Sequence, residues 1–237
     1  MESPRDIILF GPRMAPFTEK VRRALVLKGL PFELREPTKR DDYSKWSPET
    51  GLLPVMTIDG KLTSDSTSIL FELDRLYPEP PLLSRDPMVA EQQRRLEDWA
   101  DESFLWYFMK WLNFRGEAAM TTAAVERMRA AREEARRNHA RPFHWLRRLR
   151  AWLSAGGTWE RPETSLLRGL SGRLTDLANF LGARAFFYAD QVSIADLAVY
   201  SMLLTMRRDA IPGSQQLLAN QPTLIELMHR VERETGG

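Results

Sequence analysis

Residues 53–66 read Leu53-Pro54-Val55-Met56-Thr57-Ile58-Asp59-Gly60-Lys61-Leu62-Thr63-Ser64-Asp65-Ser66. Val55 to Ile58 is a short apolar run. Asp59-Gly60 suits a tight turn whose central residues need positive φ, and Lys61 to Thr63 supplies the return strand. The segment is a β-hairpin entered through a proline. From Asp65 to Leu76 the period changes, because Ile69, Leu70, Leu73 and Leu76 recur on one helical face. A hairpin that runs straight into an amphipathic helix closes a small α/β unit.

The residues upstream supply the opening of that unit. Asp6 to Phe10 is an apolar run stopped by Gly11-Pro12, as in a buried strand. Phe17, Val21, Ala24, Leu25 and Leu27 predict a helix from Pro16 to Lys28, and Gly29 ends it. Phe32 to Arg35 suits a second strand, and the polar stretch from Thr38 to Thr50 has room for one short helix. The predicted order is β-α-β-(α)-β-β-α.

Downstream, Pro78, Pro80, Pro81 and Pro87 mark a linker, and beyond it the strand signals nearly vanish. Helices are expected at Val89–Phe114, Thr122–Ala140, Phe143–Leu153, Glu163–Leu181, Ser193–Arg208 and Pro222–Arg233. Residues 1–84 and 85–237 are thus expected to form two domains in an α+β arrangement, the second of them all-helical.

Composition narrows the function. With 43% hydrophobic and 28% charged residues the chain has the make-up of a folded protein, not a disordered one. Its 34 Lys+Arg against 32 Asp+Glu give no whole-molecule electrostatic reason to bind nucleic acid or an anionic membrane. Cysteine is absent, which excludes disulfides, cysteine metal sites and protein thiol catalysis. No metal site is expected, since His139, His144 and His229 form no ligand pair at helical spacing. Without an apolar leader or a membrane-length span, a cytoplasmic location is expected.

With these elements in place the chain resembles the glutathione S-transferase superfamily, of the bacterial-like cytosolic type, over nearly its whole length. Leu53-Pro54-Val55 is similar to the family's loop before the third strand, whose proline follows a cis peptide bond. The resemblance implies a thioredoxin-like first domain in which the N–H and C=O of the residue after that proline, Val55, pair with the cysteinyl part of glutathione. Ser64-Asp65-Ser66 is similar to the acidic-Ser motif that holds the γ-glutamyl end. The chemistry agrees, because unpaired N–H groups at a helix start favour a carboxylate, and Asp65 offers the opposite charge to an amino group. A plain helix cap is the competing reading of Asp65 and Ser66. Ser193-Ile194-Ala195-Asp196-Leu197 reads as a capping box with Val192 and Leu197 as its staple, and resembles the family's structural motif in the second domain.

In transferases of this family a Tyr, Ser or Cys at the start of the first helix stabilises the glutathione thiolate, which is the nucleophile. The Ser and Cys types often place it before Pro-Phe. Here Arg13-Met14-Ala15-Pro16-Phe17-Thr18 puts Ala15 at that position, so the catalytic group is not identified. Three readings stay open. Backbone N–H groups near Phe17 stabilise the sulfur; Thr18 substitutes, although an ordinary first-turn residue is preferred; or glutathione binds without turnover. Arg13 adds positive potential if it faces the sulfur, against the simpler reading of an exposed loop arginine.

The expected glutathione-binding residues are Phe17, Leu53, Pro54, Val55, Asp65 and Ser66, with glutathione as the substrate that is conjugated to, or used to reduce, a small hydrophobic electrophile. Trp99, Phe104, Trp106, Tyr107, Met109, Trp111 and Phe114 wrap more of their helix than one core stripe needs. Trp106, Tyr107 and Trp111 are the acceptor-site candidates. The resemblance also implies a homodimer and a detoxifying transferase. The alternative is a non-catalytic interaction module, suggested by Ala15 and by an arginine-rich stretch over 127–150, where interleaved Glu126, Glu133 and Glu134 favour a solvated helix face.

Overall fold

The computed structural model describes residues 6–114 and 162–236. The helices expected over 122–140 and 143–153, the arginine-rich stretch, His139 and His144 lie outside the described residues.

The first unit runs β1 (Ile7–Phe10), α1 (Pro16–Leu27), β2 (Glu33–Arg35), α2 (Asp41–Trp46), β3 (Val55–Ile58), β4 (Lys61–Ser64) and α3 (Ser66–Leu76). The sheet order is β2-β1-β3-β4; β1 is parallel to β2 and antiparallel to β3, which is antiparallel to β4. This is the thioredoxin-like arrangement. Alternation sets its two faces. Ile7 and Leu9 are buried in one core with Met56, Ile58, Val21, Ala24, Leu25, Ile69, Leu70 and Leu73. Phe10 meets Trp46 of α2, ring centroids 5.0 Å apart. The hairpin turn has the expected backbone, φ 51° at Asp59 and 79° at Gly60.

The described helices of the second unit are α4 (Pro87–Phe114), α5 (Pro162–Leu181), α6 (Ile194–Arg207), α7 (Ser214–Ala219) and α8 (Pro222–Glu234). Every residue from Ile194 to Met206 is buried, so α6 forms the axis around which the others pack. Its start is fixed by Asp196, which accepts from Ser193 N at 3.0 Å, Ser193 Oγ at 2.7 Å and Phe187 N at 3.0 Å.

Two elements differ from expectation. Helix α4 begins at Pro87, not Val89: Asp86 Oδ1 accepts from Met88 N at 2.8 Å, so the proline read as linker is the first helical residue. The six-residue α7 is too short to show a helical period and was not anticipated.

Helix α1 lies between the two units. Its apolar face meets the sheet, while its charged face is covered by α4 and α6, so Glu19, Lys20 and Arg23 are buried.

Candidate functional site

The strand register gathers three chain segments at one end of the sheet. Val55, the first residue of β3, lies opposite Phe10, the last of β1, and opposite Ser64, the last of β4. The loop into α1, the Leu53–Pro54 step and the start of α3 therefore adjoin one another. The Leu53–Pro54 peptide is cis. Val55 is flanked by a strand on each side and proline has no N–H. Leu53, which precedes the strand, is then the nearest upstream residue with a main-chain N–H outside it, two positions before Val55, the residue the sequence suggested.

At the head of α3, Asp65 sits at φ 70° and ψ 129°, a conformation that costs an L-residue on the order of 1–3 kcal/mol. Its Oδ1 accepts from Thr67 N at 3.1 Å and Ser68 N at 3.0 Å. Asp65 is thus the N-cap of α3, and Ser66, its first residue, is 3% exposed. Behind them lies a charged cluster that sequence reasoning missed. Lys20 Nζ is 2.6 Å from Glu97 Oε1 and 2.7 Å from Asp101 Oδ2, and Thr67 Oγ1 donates to Glu97 at 2.5 Å. Its members come from α1, α3 and α4, and no sequence pattern pairs residues 77 and 81 positions apart.

At the head of α1, Ala15 is the N-cap, in extended geometry (φ −76°, ψ 134°), with no side-chain cap. Phe17 is half-buried in the first turn. Thr18 is fully buried, and its hydroxyl finds no partner among the described residues. It fills the space beside Gly11, where a Cβ would come within 2.4 Å of Thr18 Oγ1. Thr18 packs against Gly11. Arg13 is exposed and tied to Glu36, through its N–H at 2.9 Å and Nε at 3.3 Å. That backbone hydrogen bond does most to hold the Glu36 carboxyl below its ordinary pKa.

Two family models fit this chain: the glutathione S-transferase N-terminal domain over residues 9–81 and its C-terminal domain over residues 165–236. Together they span more than half of it. The chain belongs to the glutathione S-transferase superfamily. Among curated proteins it is similar to glutathione S-transferase U4 of Arabidopsis thaliana, at 34% identity over 36% of this chain and 40% of that protein. The chain spans 40–48% of the length of the first curated relatives it matches. Among solved structures, a glutathione S-transferase from Methylobacterium radiotolerans in complex with glutathione sulfonate aligns at 25% identity and TM-score 0.60, over 96% of this chain and 90% of that one. The Tau-class enzyme from mango, Mangifera indica, shares the fold at 18% identity and TM-score 0.67, over 98% and 89%.

The aromatic helix of this transferase-family chain divides into core and flank. Tyr107 is 5% exposed and stands against Gly169 of α5, where an added Cβ would meet its hydroxyl at 3.1 Å. Burial pushes its pKa up, and Arg173 partly offsets this. Tyr107 is a core residue, which corrects its assignment to an acceptor surface. Trp106 and Trp111 are half-buried, and Lys110 Nζ lies 4.9 Å from the Trp106 ring centroid. Among the described residues no side-chain cluster suited to a metal is assembled, and no helix is long and apolar enough to cross a membrane.

Proposed function

We propose that this protein is a glutathione transferase that binds glutathione across the end of the sheet and presents its sulfur at the head of α1 to a small hydrophobic electrophile. The supporting observation is the register that brings Leu53–Pro54, Asp65–Ser66 and the Ala15 N-cap side by side. In this reading the γ-glutamyl carboxylate meets the N-terminus of α3 at Ser66, where helix N–H groups and dipole favour an anion. Asp65 faces the amino group, and its strained backbone and the cluster behind it keep the cap rigid. The cysteinyl amide pairs with Leu53 beside Pro54 and Val55, and Phe17 borders the sulfur. Trp106 and Trp111 are the proposed acceptor-side residues. The domains divide near residue 84, and the working unit is a homodimer, which light scattering tests.

The chemistry is thiolate attack on the electrophile: the S–H proton goes to water, the new bond forms from sulfur, and the leaving group, the opened ring or the enone's carbonyl oxygen takes the displaced electron pair; with a peroxide the O–O bond breaks as the sulfur is oxidised, and a second glutathione completes the disulfide. Retention on glutathione-agarose, with turnover against aryl halides, epoxides, enones and peroxides, is the expected result. Ser66→Ala with Asp65→Ala should abolish both. A protein that neither binds the resin nor turns over any of the panel refutes the proposal.

A further inference from the structure

Helices α1 and α6 lie antiparallel. Arg23 in the last turns of α1 reaches Tyr200 Oη at 3.0 Å, while Arg208, the C-cap of α6, donates from Nη1 to Met14 O at 3.2 Å. Met14 immediately precedes Ala15. A guanidinium from the helical unit therefore lies over the loop that leads into α1, next to the position that offers no side-chain donor.

The surrounding charges distinguish Arg208 from its neighbours. Arg13 is paired with Glu36, Arg22 and Arg23 with Glu19, Arg207 with Glu232 at 2.6 Å, and Lys20 with Glu97 and Asp101. The adjacent Asp209 accepts from Gln215 N at 3.0 Å, on the side of α7. Arg208 contacts a neutral carbonyl, and no carboxylate of the described residues is within ion-pair distance of it. Among the described residues no carboxylate neutralises its charge.

We propose that Arg208 holds the glutathione sulfur as thiolate in this protein, taking over the task of the hydroxyl or thiol that Ala15 lacks. This rests on the glutathione-binding reading above. The thiol proton leaves to water, and the cation favours the anion that remains. Arg208 is exposed, so solvent screens it. At about 5 Å in a nearly aqueous medium the effect is about half to one pH unit in the thiol pKa, or about three- to tenfold more thiolate at neutral pH.

The test titrates the ultraviolet thiolate absorbance of glutathione bound to the full-length protein and to Arg208→Lys, Arg208→Gln and Arg208→Ala. The thiol pKa should rise by about half to one unit in the Gln and Ala variants and stay low in the Lys variant. Affinity measured near pH 5, where the thiol is protonated in all of them, should agree within about twofold. Arg208→Gln removes the charge and keeps a polar amide, so an unchanged thiol pKa in that variant overturns the inference. So does an acid-side affinity loss without a pKa change, or a wild-type bound thiol that titrates like free glutathione. Wild type that binds no glutathione overturns the proposed function itself.

Discussion

Replacing Lys20 by methionine tests how the two units are joined. Lys20 is fully buried, as are its partners Glu97 and Asp101, with side chains 1% and 4% exposed. Methionine matches the aliphatic length but removes the charge, so two buried carboxylates lose the Lys20 ion pairs. Breaking a buried ion pair from one side costs about 3–5 kcal/mol, because the remaining charge is neither hydrated nor compensated. For a chain of this size that lowers the melting temperature by on the order of 10 °C. Urea unfolding followed by tryptophan fluorescence, with scanning calorimetry, measures it. The triple variant Lys20→Met, Glu97→Gln, Asp101→Asn should recover most of the loss, since it removes the desolvation cost together with the attraction. A single variant within about 1 kcal/mol of wild type, or a triple variant no more stable than the single, refutes the argument.

Thr18→Val removes a buried hydroxyl that has no hydrogen-bond partner among the described residues, so stability should rise by about 1 kcal/mol with glutathione binding and turnover intact; lost turnover in a folded variant would restore Thr18 as a catalytic candidate. Ala15→Ser places a capping hydroxyl in a backbone already extended, and should stabilise the protein by about 0.5–2 kcal/mol in thermal melts, whether or not glutathione is present. Burial pushes the Glu19 carboxyl up, but hydrogen bonds from Arg22 and Arg23 outweigh it and the pKa lies below the ordinary 4.5. Its contribution is therefore present above pH 4.5 and lost as pH falls through the folded-state value. Glu19→Gln should be less stable near neutrality and show a flatter acid limb; an identical acid limb would show that Glu19 carries none of it.

Much of the fold is legible because it is written locally. The Asp59-Gly60 turn, the alternation in β1 and β3 and the capping signal at Ser193 to Asp196 each rest on residues close in the chain. The head of α3 was legible for the same reason, as Asp65 and Ser66 stand where a strand pattern gives way to a helical one. The six residues of α7 are too few to carry a period. The composition of α4 could not say which aromatics face inward. Tyr107 and Trp106 are consecutive residues of the same class, and packing against Gly169 separates them.

Local chemistry in the sequence determined the order of strands and helices, the tight turn, the capped helix starts and the missing donor at Ala15. Tertiary structure decided the fate of the charges on α1. By pattern alone Glu19, Lys20 and Arg23 belong to a solvated face, because a helix carries no mark of what will dock against its polar side. Docking α4 and α6 there removes water from those side chains, and charges deprived of water must find partners wherever the chain supplies them. Glu19 finds Arg22 and Arg23 on its own helix, but the other partners of Lys20 and Arg23 lie at 97, 101, 200 and 235, separations at which neither periodicity nor propensity carries information.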